Sequence, residues 1–117
     1  MTHDNSHDLE SFESPLGQVV TFTTDELTAL CPFDFGGPDF YELTVRYESA
    51  GLTVESRSLK QYVEAWRDTE ISAEELAQSI HDDVATTAAP TSLYVRLDQA
   101  RRGGIEETVE VGNVDLR

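Results

Sequence analysis

The sequence predicts an α+β domain, an antiparallel four-stranded sheet with two helices on one face, in the order ββααββ. Three observations support this. Apolar side chains alternate with polar ones over residues 40–47 and 92–98, two consecutive segments between residues 56 and 88 carry helical stripes, and paired glycines at 103–104 fold the last two strands together. With 117 residues the chain can bury one core and not two.

The first strand is read over residues 17–24, "GQVVTFTT", bounded by Gly17 and by the acidic turn around Asp25. In "FYELTVRY" (40–47), Tyr41, Leu43, Val45 and Tyr47 share one face and Glu42, Thr44 and Arg46 the other, the period of a half-buried strand. Gly51 then allows a reversal. Leu59, Tyr62, Val63 and Trp66 fall at i, i+3, i+4 and i+7 of a helix that Ser56 or Ser58 can cap. The second helix carries Ala73, Leu76, Ala77, Ile80 and Val84, and Ser72 with Glu75 makes a capping box at its start. Pro90 closes the helical half. "SLYVRLD" is the third strand, and "IEETVEV" the fourth, with Ile105, Val109 and Val111 apolar and Glu107 among them. Residues 1–15 are polar and acidic and are expected to form a disordered tail, which leaves residues 16–117 as a single domain.

Composition narrows the function. The net charge is −15, from 23 Asp and Glu against 8 Lys and Arg, and such a field opposes tight binding to a polyphosphate backbone. Lys60 is the only lysine, a balance that fits a halophilic source, where salt screens self-repulsion within a few ångströms. Cys31 is the only cysteine, so no disulfide framework exists, and no apolar run approaches the ~20 residues of a membrane span. A soluble, cytoplasmic chain is the expectation. His3 and His7 in the tail and His81 beside the second helix's apolar stripe read as solvated side chains, and no metal site is expected.

The chemistry concentrates in "CPFDFGGPDF" (31–40). A lone cysteine is most often a small buried hydrophobe, but here two glycines let backbone approach a ligand, and Asp34 and Asp39 lie within one loop's reach of the sulfur. A thiolate there can add to an electrophilic carbon while a nearby carboxyl group supplies a proton.

With "VESRSLKQYVEAWRD" and "RRGG", this loop resembles the family of NADPH-dependent reductases that convert the nitrile of 7-cyano-7-deazaguanine to an aminomethyl group in queuosine synthesis, and its archaeal amidinotransferase relatives. The likeness runs from about Leu27 to Gly104, and its most specific part is Glu55-Ser56-Arg57-Ser58-Leu59-Lys60. It implies a tunnelling fold assembled into homo-oligomeric rings with active sites between subunits. It implies Cys31 as the nucleophile forming a thioimide, and Asp39 as the general acid. Val54, Glu55 and Ser56 would line the site for the base, with Ala73 and Glu74 beside it, Glu74 anchoring the purine-like ring. Arg57, Lys60 and Arg102 would hold the phosphates of NADPH.

Three positions depart from the family pattern. The interval from Cys31 to Asp39 is one residue longer, which calls for a bulged loop and makes Asp34 a substitute acid; Ala73 replaces a histidine, and Arg57 a lysine. The alternatives are an amidinotransferase that adds ammonia to the same thioimide on tRNA to form archaeosine, and a noncatalytic subunit of the same fold that binds a pterin or purine. The cation-bearing "ESRSLK" segment favours the reductase.

Overall fold

In the computed structural model, which describes residues 9–33 and 37–117, the long strands form one antiparallel sheet in the order β2-β3-β5-β6. These strands are β2 (Val19–Leu30), β3 (Pro38–Glu48), β5 (Ser92–Arg102) and β6 (Ile105–Gly112). Two three-residue strands, β1 (Ser11–Glu13) and β4 (Leu52–Val54), pair separately. Helices α1 (Ser56–Glu64) and α2 (Ala73–Ala88) lie between β4 and β5 in the chain.

Alternation decides which face is covered. Tyr41, Leu43, Val45 and Tyr47 of β3, with Leu93, Val95 and Leu97 of β5, are buried. Leu59, Tyr62 and Val63 of α1 and Leu76, Ala77, Ile80 and Val84 of α2 complete the same core. Each such large side chain contributes roughly 1.5–3 kcal/mol by leaving water, so the stripes outweigh weak local preferences. Helix α1 packs against β2, and α2 against β5 and β6. The expected α+β class, four-stranded sheet and two helices are therefore present.

Several boundaries differ from expectation. The polar start was expected to remain disordered to residue 15, yet Leu9 is buried, the Glu10 N–H donates to Ser58 Oγ at 2.9 Å, and β1 pairs with β4. Residues 1–8 lie outside the described residues. Strand β2 does not end at Asp25: a register shift between Thr24 and Leu27 absorbs Asp25 and Glu26 as a bulge, and the strand continues to Leu30. Helix α1 is capped by neither Ser56 nor Ser58 but by Glu55, whose carboxylate accepts from Arg57 N at 2.7 Å and Ser58 N at 2.8 Å. It stops at Glu64, and Trp66 packs from the following turn, edge-on to Tyr62 with ring centroids 6.0 Å apart.

One contact positions α2. Leu30, at the end of β2, exchanges backbone hydrogen bonds with the link between the helices, accepting from Ile71 N at 3.0 Å and donating to Thr69 O at 2.9 Å. This clamp sets the N-terminus of α2 beside the end of β2. No described helix is long and apolar enough to cross a membrane.

Candidate active site

Antiparallel pairing brings chain ends together at one end of the sheet. There β2 finishes, β3 starts, β5 finishes and β6 starts, and the Leu30 clamp adds the start of α2. A cleft of about 640 Å³ opens at this end. Cys31 lines it from the β2–β3 connection, Asp39 from the start of β3, Ala73 and Glu74 from the first turn of α2, and Arg102 and Glu107 from the β5–β6 hairpin. Phe33 and Ile105, 64% and 72% exposed, give it an apolar rim.

Register explains why these side chains converge. Asp39 pairs with Ala29, so it shares the covered face with Ala29 and with Cys31 two residues further along. Asp39 is buried, and Arg102 Nη1 donates to its Oδ1 at 2.5 Å. The same guanidinium interacts electrostatically with Cys31, whose Sγ accepts from Phe33 N at 3.4 Å. One cation thus faces both the thiol and the carboxylate. The bulge expected between Cys31 and Asp39, and Asp34 with it, fall on residues 34–36, outside the described residues.

The next row across the sheet runs Leu27, Tyr41, Gln99, Glu107. Glu107 is an acidic residue on the face that Val109 and Val111 turn inward, and its carboxyl group hydrogen-bonds to Glu74. That bond, then desolvation, then the charge of Glu74 push Glu107 up to about 7. The same bond holds Glu74 below the usual carboxylate range, helped by its backbone N–H and by Ser72. The sequence reading assigned no role to Glu107, Tyr41 or Gln99. The signal for Glu107 was its position as a carboxylate within an apolar alternation.

The remaining site residues stand elsewhere on the chain. Ser56 and Lys60 line a second groove of about 510 Å³ between α1 and β2. Val54 is buried, so its side chain belongs to the core, and its N–H donates to Tyr47 Oη at 2.9 Å. Glu55 is occupied in capping α1, which lowers its pKa, though its carboxylate oxygens retain lone pairs for a further donor. Arg102, expected to join Arg57 and Lys60 at a cofactor phosphate, instead engages Asp39 and Cys31. Arg57 and Lys60 are exposed on the first turns of α1, and among the described residues neither enters an ion pair. No group of three or more His, Cys, Asp or Glu side chains suited to a metal occurs among the described residues.

Comparison with known proteins places this arrangement in context. Residues 38–116 match the family described as QueF-like protein, a span that includes Asp39, Glu55, Glu74 and Arg102 and begins after Cys31. The chain is 36% identical over 106 residues to the NADPH-dependent 7-cyano-7-deazaguanine reductase of Chlorobium chlorochromatii, covering 88% of this chain and 90% of that protein. It is 41% identical over 93 residues to the protein of the same name from Pelodictyon phaeoclathratiforme, covering 80% and 79%. The crystal structure of the archaeosine synthase QueF-Like in the apo form superposes with a TM-score of 0.76 at 26% identity, covering 86% of this chain and 95% of that one.

Proposed function

The chain belongs to the QueF-like protein family, and on that premise we propose that it reduces the nitrile of 7-cyano-7-deazaguanine to the aminomethyl group with NADPH, through a covalent thioimide on Cys31. The observation that carries this reading is the meeting of Cys31 and Asp39 in one cleft, with Arg102 bonded to Asp39 and its charge acting on Cys31.

In this mechanism Asp39 accepts the thiol proton, and the Arg102 guanidinium offsets the negative charge that moves to sulfur. The sulfur bonds to the nitrile carbon, one π bond of the C≡N group breaks, and Asp39 returns the proton to the nitrogen. Glu74, at the opposite wall, accepts the ring's N–H groups and holds the nitrile toward Cys31. NADPH, when bound, supplies the hydrides that take the carbon to the amine level. Arg57 and Lys60 fit its phosphates as two exposed cations about one helical turn apart. The amides at the start of α1 are not available to share that phosphate, because Arg57 N and Ser58 N already donate to Glu55.

The two grooves would meet between subunits, with Glu55, Ser56, Arg57 and Lys60 of one copy facing the Cys31 cleft of another. The open edges of β2 and β6 within the chain, and the exposed Val19 and Ile105, support such an assembly. The likeness to an archaeosine synthase favours a second reading, in which ammonia attacks the same thioimide on a tRNA base.

The test is to incubate the protein in high salt with 7-cyano-7-deazaguanine, with NADPH in one arm and with ammonia and nitrile-bearing tRNA in the other, and to weigh protein and products. A protein mass increased by one substrate, absent in Cys31→Ala, and nitrile-dependent NADPH oxidation are expected. Amidine formed on tRNA without NADPH oxidation selects the second reading.

A further inference from the structure

The carboxyl groups of Glu74 and Glu107 reach the cleft from different elements and hydrogen-bond to each other. Two ionised carboxylates in contact repel, so the pair settles with one proton, and the environment places it on Glu107. The groups facing this pair are Asp39 and Tyr41 from β3, Cys31 from the β2–β3 connection, and Gln99 and Arg102 from β5.

A second observation lies beneath them. The Tyr41 hydroxyl is fully buried and has no hydrogen-bond partner among the described residues. Burial first, then the charges of Asp39, Glu107, Glu74 and Cys31, raise its pKa, so it remains a protonated donor without an acceptor. Buried donors without a protein partner are rare in folded chains, and this one lies on the strand that faces the cleft.

We propose that Glu107 is a ligand-reading residue of this cleft, presenting its carboxyl proton to a ring carbonyl oxygen while ionised Glu74 accepts the adjacent N–H groups of the same planar heterocycle. This rests on the 7-deazaguanine reading above and extends it from one carboxylate to a matched pair. A guanine-type edge carries one carbonyl acceptor beside two N–H donors. An ionised Glu74 satisfies the donors but would repel the carbonyl oxygen, whereas a neutral Glu107 supplies the missing donor. On binding, the Glu107 proton turns from Glu74 to the ligand without leaving its own carboxyl group. The carboxylate it vacates then offers the Tyr41 hydroxyl an acceptor.

The test is a calorimetric titration of the full chain in high salt with 7-deazaguanine, which lacks the nitrile and so cannot form an adduct. Wild-type affinity should fall about tenfold from pH 6 to pH 8 as Glu107 in the free protein ionises. Glu107→Gln, whose amide keeps a donor, should bind within about threefold of wild type at pH 6 and lose the pH dependence. Glu107→Ala should bind at least tenfold more weakly at pH 6. A wild-type profile that is flat or rises with pH, or full affinity in Glu107→Ala, overturns the assignment. These profiles combined with no Cys31 adduct from 7-cyano-7-deazaguanine uphold the Glu107 role and overturn the nitrile chemistry. Absence of any 7-deazaguanine binding by the wild type overturns both.

Discussion

Tyr41 and Glu107 show how far a single side chain can be set against folding in this site. Tyr41→Phe removes a buried hydroxyl that has no partner among the described residues, a group whose burial costs about 1–3 kcal/mol, so the variant should melt at a higher temperature while binding 7-deazaguanine more weakly. Loss of stability, or unchanged affinity, would contradict that reading in thermal melts and titrations. Glu107 makes a pH-dependent contribution of definite sign. Its carboxyl group titrates at about 7 in the folded chain and near 4.5 when unfolded, so between those values the folded state holds a proton that the unfolded state has lost. Stability from this group is therefore present below about 4.5 and is lost as pH rises through 7. Glu74 acts in the opposite sense at lower pH, since its folded value is depressed. Melts of Glu107→Gln between pH 5 and 7.5 should decline less steeply than those of wild type.

At the scale of elements, α1 and α2 are tied by a buried hydrogen bond of 2.5 Å from Tyr62 Oη to Asp83 Oδ2. Tyr62→Phe should weaken this tie and lower stability by about 1–3 kcal/mol, read from urea unfolding, because it withdraws a donor from a buried carboxylate. The exposed face of α1 carries a different burden. Changing Arg57 and Lys60 together to Ala should raise the apparent KM for NADPH on the order of a hundredfold, at roughly 1.5–3 kcal/mol per charge-assisted contact, and leave Cys31 adduct formation intact. An unchanged KM would remove the cofactor from α1. Strands β3 and β5 and helix α2 were legible because each repeats its period over many residues. Strands β1 and β4 were not, since three residues carry no period. The cap at Glu55 was hidden by two serines that fit the usual preference better. Cys31, Asp39, Ala73, Glu74 and Arg102 do line one cleft, but Arg102 turned out to pair with Asp39, a contact across the sheet that no sequence spacing encodes.

The whole molecule presents open edges on β2 and β6 and a charge of −15. If edge strands of neighbouring copies close into a ring, light scattering in high salt should give a mass several times 13.0 kDa, and dilution into low salt should dissociate it as screened repulsion returns. A monomer that turns over substrate in both conditions would rule out sites shared between subunits. The central pairing of the sheet has a kinetic consequence. Tyr41 meets Gln99 and Glu48 meets Ser92 only after the chain between them, both helices included, has looped back. Such closures are slow because loop entropy is lost before the contacts form. The β2–β3 hairpin holds Cys31 and Asp39, and the β5–β6 hairpin holds Arg102 and Glu107, so neither half alone contains the cleft. During refolding, the reactivity of the cysteine toward alkylating reagents should change when β3 and β5 zip together and bring Arg102 to the cleft, in the same slow phase that restores tyrosine fluorescence.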